Sequence, residues 1–122
     1  MPRAAPRHAE PADLCGWRVD DFRGVRVGTL AGVYEDFEAG VPAWLLVRLA
    51  RYSTRFVLAP PADVLAWPGR VCLPYDRLRI ERAPLLYAAP PEIGPELEEQ
   101  LRAHYRLIAG SDVGMTARRS VA

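Results

Sequence analysis

Two cysteines, two histidines and a cluster of acids are the side chains in this 122-residue chain that could do covalent or metal chemistry. Cys15 and Cys72 lie far apart in the sequence, without the close pairing that metal-binding loops use. His8 falls in a stretch of Pro, Ala and charge, and His104 sits beside Tyr105 in a helical segment. No spacing puts either imidazole next to a thiol or a serine, which an activated nucleophile requires. There is no nucleophile elbow and no phosphate-binding loop. Glu35, Asp36 and Glu38 could hold a cation, but a solvated hairpin end carries the same residues. The expectation is a protein that is not an enzyme, with no cofactor and no metal.

Recognition chemistry is better represented. Arg48-Leu49-Ala50-Arg51-Tyr52-Ser53-Thr54-Arg55-Phe56 holds three arginines and two aromatics and no acid. Guanidinium planes and aromatic rings serve phosphate binding and base stacking, and Arg and Tyr are also enriched where proteins dock. Arg48, Arg51, Tyr52 and Arg55 are therefore candidate partner-binding residues. The alternative is a hairpin whose arginines are merely solvated, with Phe56 in the core. A second handle is the stripe Leu97, Leu101, Tyr105 and Ile108, spaced to share one face of a helix. That stripe either folds back on its own domain or packs against a second copy as a symmetric homodimer.

These residues must be positioned by short strands and one helix. Met1–Asp13 is rich in Pro, Ala and charge and reads as a disordered tail, as does 110–122. Gly16–Asp20 alternates as a first strand, and Asp21-Phe22-Arg23-Gly24 has the residues of a turn. Val25–Phe37 reads as a long second strand, with Gly28 and Gly32 marking a bulge or corner. Ala43–Leu49 is the third; its run Trp44-Leu45-Leu46-Val47 is apolar on both faces, as a doubly covered strand must be. Arg55–Ala59 is the fourth and Arg70–Leu73 the fifth, with Trp67-Pro68-Gly69 in the loop between. Tyr75–Pro84 alternates like a strand, but Asp76 could equally cap a short helix. Pro95–Ala109 is a helix, with Pro at its first position, acids in its first turn and Gly110 as C-cap.

Composition agrees with one domain, 14–90, followed by a linker and helix over 91–109. Half the residues are hydrophobic, a quarter are charged, and the net charge is +1. Residues 1–60 carry eight arginines against seven acids, and 61–122 carry eight against eight. No global field draws the chain to nucleic acid or an anionic membrane, so such contact needs a local patch. All sixteen basic residues are Arg, which reads as the codon bias of a GC-rich bacterial genome. Two unbridged thiols and the lack of an apolar leader point to cytoplasm, and no apolar run is long enough for membrane insertion.

The run from Gly16 to Leu30, with its strand, acid-to-Gly turn and second strand bearing Gly28, resembles the opening of a PRC-barrel domain. The resemblance continues through Val33-Tyr34-Glu35-Asp36, Trp44–Leu49 and Arg55–Pro60, and Ala83-Pro84 matches the family's closing Ala-Pro after a short helical turn. It spans roughly Leu14 to Pro90 and favours a helix in the ambiguous segment. It implies a mainly β fold: a small barrel of five to six short antiparallel strands, here with a C-terminal amphipathic helix. The family is named for the cytoplasmic domain of the photosynthetic reaction-centre H subunit, and it also forms the C-terminal half of a ribosome maturation factor. Both uses are protein–protein contacts. The chain is thus expected to be a non-catalytic interaction or self-assembly module with a protein partner. An RNA-associated or ribosome-assembly role on the same arginine hairpin is the alternative, with little non-specific attraction to support it.

Overall fold

The computed structural model describes residues 14–36, 38, 40–50 and 54–106, and the backbone of 117–120. Its elements are β1 (Arg18–Asp20), β2 (Arg26–Asp36), β3 (Pro42–Leu49), β4 (Phe56–Ala59), β5 (Leu65–Trp67), β6 (Arg70–Cys72), α1 (Arg77–Glu81), β7 (Glu92–Ile93), α2 (Pro95–Tyr105) and β8 (Ala117–Ser120). Six strands form a continuous path in the order β4-β3-β2-β1-β6-β5, and β8 pairs with both β2 and β7. The fold is mainly β with a C-terminal helix. Among the described residues no ladder joins β4 to β5, so the sheet is not closed into the expected barrel.

The β1–β2 turn shows how the sequence drives local structure. Asp21 is almost fully buried, and its Oδ1 accepts hydrogen bonds from the backbone N–H of Arg23 at 2.8 Å and Val25 at 2.9 Å. Gly24 takes the positive φ of 82° that closes the turn, which a side chain would resist. The second carboxylate oxygen of Asp21 accepts from the N–H of Arg77 at 3.1 Å. One side chain therefore ties the first hairpin to the start of α1. Asp76 caps that helix by accepting from the Leu78 N–H at 2.7 Å, which decides the ambiguous segment in favour of helix.

Pairing departs from the sequence reading in three ways. β1 and β6 are parallel, where all pairs were expected antiparallel. This partnership joins segments distant in sequence, so no turn residue announces it. Next, β5 occupies part of the expected loop and pairs with β6 across Pro68-Gly69. Gly69 has φ 78° there, the residue pattern of a type II turn. Finally, β7 and β8 add strands beyond those expected, and β8 lies within the span read as a loose tail.

The core explains the apolar runs. Trp44, Leu45, Leu46 and Val47 are all buried, so β3 is covered on both faces. On one face the ladders align Val19, Gly28, Leu49, Leu30, Val47, Val57 and Val71, all buried. On the other, Tyr34 donates its hydroxyl to the Pro90 carbonyl at 2.6 Å, and Tyr105 from α2 donates to the Leu58 carbonyl at 2.7 Å. These contacts cover the Tyr34 and Leu58 end of that face, while Arg18 and Arg48 at the other end are exposed.

Helix α2 begins as read, with Pro95 at its first position and Glu96 and Glu98 in the first turn. It ends earlier than Ala109. Arg106 adopts a left-handed φ of 56° and bonds back to Ala103 and Arg102, so the chain turns there, before Gly110, which lies outside the described residues.

Candidate partner-binding face

The open end of the sheet carries the arginine–aromatic residues. Arg48 and Phe56 sit directly opposite each other on β3 and β4, and the guanidinium lies 5.5 Å from the ring centroid. Such stacking contributes about 0.5–1 kcal/mol at an exposed site and holds a long side chain in place. Beneath Arg48 the backbones of β2 and β3 approach closely. A Cβ on Gly28 would come within 1.9 Å of the Arg48 carbonyl oxygen, so only glycine allows this contact.

A neighbouring segment borders this face, with its own arginine–aromatic pair one residue along and therefore on the opposite side of the ladder. Phe56 and Leu86 exchange both backbone hydrogen bonds, at 2.8 and 2.9 Å, which brings 85–87 alongside β4. Arg55 lies over the Tyr87 ring at 5.4 Å, and Tyr87 is 71% exposed. The described residues 40–50, 54–62 and 82–91 around this corner contain Arg48, Arg55 and Arg82 and no acid. Arg51 and Tyr52 lie outside the described residues.

The register carries the pattern across the whole sheet. Trp67 pairs with Arg70, Arg70 with Arg18, Arg18 with Thr29, Thr29 with Arg48, and Arg48 with Phe56. Residues directly opposite on paired strands share a face, so these six form one row, a residue from each strand of the path. Strands are about 4.8 Å apart, so the row follows the sheet for roughly 24 Å. An aromatic stands at each end with an arginine stacked on it, for Arg70 lies 4.6 Å from the Trp67 ring. Arg18, Arg70 and Trp67 did not stand out in the sequence, because only the parallel β1–β6 pairing brings them beside the hairpin.

Asp20 anchors this half of the row. It is fully buried and forms ion pairs with Arg18 Nε and, at 3.6 Å, with Arg70 Nε. Its Oδ2 has no hydrogen-bond partner, so Arg70 is what faces that oxygen. Arg18 and Arg70 keep 47% and 42% of their side chains exposed. Arg48 belongs to none of the ion pairs among the described residues. Three guanidiniums against one buried carboxylate, which pairs with two of them, leave the row positive.

Of the two roles considered for the helix stripe, the described residues take the first and fold back on their own domain. Leu101 and Tyr105 are buried in this chain's own core, and Leu97 is partly buried against it. The helix packs in cis, so Leu101 and Tyr105 are not surface for a partner; Ile108 lies outside the described residues. The docking is reciprocal: Arg79 donates to the Tyr105 carbonyl at 2.7 Å, and His104 Nε2 donates to the Arg79 carbonyl at 2.6 Å. Burial pushes the Tyr105 hydroxyl far above its usual range, helped by charge repulsion from the Tyr75 phenolate and opposed by Arg79. Burial likewise raises Tyr75.

The groups considered for covalent chemistry are dispersed. His104 is engaged on α1, and neither Cys15 nor Cys72 is in a disulfide. Burial and then the Asp20 carboxylate push the Cys72 thiol up, and its Sγ is 3.0 Å from the Asp21 carbonyl. A thiol held protonated is a poor nucleophile. Among the described residues no three His, Cys, Asp or Glu side chains are grouped to hold a metal ion, and no helix is long and apolar enough to cross a membrane. Comparison with protein-family models and with curated protein sequences gives no match.

Proposed function

We propose that this chain is a non-catalytic protein-binding module of the PRC-barrel type, which docks its partner on the arginine–aromatic row. The single observation that carries this reading is the register: six strands each contribute one residue to Trp67–Arg70–Arg18–Thr29–Arg48–Phe56. A core needs no such row. Its arginines are stacked or paired into fixed positions, which lowers the ordering cost of binding. Arg and aromatic anchors are also the residues that dominate binding energy at protein interfaces.

The test is capture from nuclease-treated lysate of the source organism by the wild-type chain and by the double variant Arg48→Glu, Arg55→Glu. The reading expects a protein retained by the wild type and lost from the variant, with the thermal midpoints of the two equal. Equal retention by both would remove this face from the account.

A further inference from the structure

Resting on that binding reading, we infer that the occupant is an acidic segment of another protein. It lies extended across the strands and places carboxylates on Arg48 and on the Arg18–Arg70 pair. Three observations carry this. The face is positive, and the stretches forming its Arg48 corner hold no acid at all, so charge complementarity calls for an anion. Planar guanidiniums fixed on a surface match carboxylates in a bidentate fork.

The rings argue against nucleic acid as the source of the anion. Trp67 and Phe56 are both partly buried, and each has a guanidinium over its face, from Arg70 and Arg48 respectively. An aromatic platform for bases needs a bare ring face, so what remains for a base here is stacking on guanidinium alone, which the oligouridine control reads. What the row presents outward is guanidinium.

Backbone availability selects the mode of docking. A partner that added a strand would need free main-chain groups on the edge of β4. There, the Phe56 N–H and carbonyl are both bonded to Leu86, and the Leu58 carbonyl accepts from Tyr105. At the Arg48 end of the row recognition therefore runs through side chains, across the strands. Arg18 and Arg48 flank Thr29 and are two strand spacings apart, about 9.6 Å. A peptide in the extended polyproline II conformation advances about 3.1 Å per residue and returns to the same face every third residue, so acids three residues apart, about 9.3 Å, reach both arginines.

The experiment is fluorescence anisotropy with a labelled peptide of about twelve residues, carrying Glu at every third position among Ala and Thr. The same peptide with Gln for Glu and a single-stranded oligouridine of equal length are the controls. The inference expects saturable binding of the Glu peptide that weakens as salt rises, since exposed ion pairs are screened. Binding falls at least about tenfold with the Gln peptide and with Arg48→Glu, and less with Arg48→Lys, which keeps the charge without the fork. Arg48→Gln, with a thermal melt of each variant, separates loss of charge from loss of fold. Equal binding of the Glu and Gln peptides, or tighter binding of the oligouridine, overturns the inference. So does a dimer in light scattering that Arg48→Glu dissolves, because a second copy is then the occupant. If Arg48→Glu, Arg55→Glu abolishes capture from lysate while the Glu peptide fails to bind, the binding-module reading stands and the acidic ligand falls. If capture is also unaffected, both fall.

Discussion

Replacing Tyr105 with Phe removes one oxygen and tests how α2 is held. The side chain is 2% exposed, and its hydroxyl donates to the Leu58 carbonyl at 2.7 Å. The ring contacts to Tyr75 and His104, with centroids 4.9 and 4.8 Å away, survive in Phe. The cost is then that of a buried carbonyl left unpartnered, about 1–3 kcal/mol at neutral pH. A second signature appears in alkali. The unfolded chain ionises its tyrosines near pH 10, whereas the folded state keeps the Tyr105 proton well above that. Above about pH 10 the folded state therefore binds more protons than the unfolded one, and stability falls by about 1.4 kcal/mol per pH unit from this group. Below that pH the contribution is fully present. Tyr75 and Cys72 are also shifted upward and add slopes of their own, so the measurement is the difference between wild type and Tyr105→Phe. Urea unfolding followed by tryptophan fluorescence, at about pH 7 and about pH 10.5, should show the variant less stable in the first and its alkaline loss shallower by one proton. A neutral-pH cost below roughly 0.5 kcal/mol with an unchanged alkaline limb would refute the reasoning, because the phenol would then be wet. Stability that rose with protein concentration would place the helix against a second copy.

Three further substitutions probe the frame beneath the binding face. Asp21→Ala removes a buried acceptor of three backbone N–H groups and should cost about 3–5 kcal/mol in urea unfolding, with Asp21→Asn milder. Gly28→Ala drives a Cβ to within 1.9 Å of the Arg48 carbonyl; it should lower stability by at least about 2 kcal/mol and weaken partner capture by displacing Arg48. Trp44→Ala should cost about 3–5 kcal/mol by chemical denaturation, since Trp44 is buried in the core; a cost below about 1 kcal/mol would make Trp44 surface.

How much was legible in the sequence depends on the range of the interaction concerned. The acid-to-Gly turn at Asp21–Gly24, the doubly apolar run Trp44–Val47 and the start of the helix at Pro95 are set by neighbours in the chain, and each appears where its residues indicate. The short strand Leu65–Trp67 reads as loop in the sequence because prolines flank it, which hides Pro68-Gly69 as the hairpin turn it forms. The site was half visible. Arg48, Arg55 and Phe56 stood out because they cluster in sequence, but the grouping stopped at the hairpin. The helix stripe was visible as a stripe, yet spacing alone does not say what covers it; the bond from Tyr105 to Leu58 does.

Alternation, turn residues and capping groups act over a few positions. The sequence by itself therefore determined the longer strands β2 and β3, the turn at Asp21–Gly24, the start of α2 and which side chains are apolar enough to be buried. It did not determine the short strands β5, β7 and β8. Tertiary structure decided which strands become neighbours. The parallel pairing of β1 with β6 joins residues some fifty positions apart, and the free energy of that contact lies in packing and ladder bonds that no local pattern encodes. From that one decision follow the six-residue row, the pairing of Arg18 and Arg70 through buried Asp20, and the face on which a partner is proposed to bind.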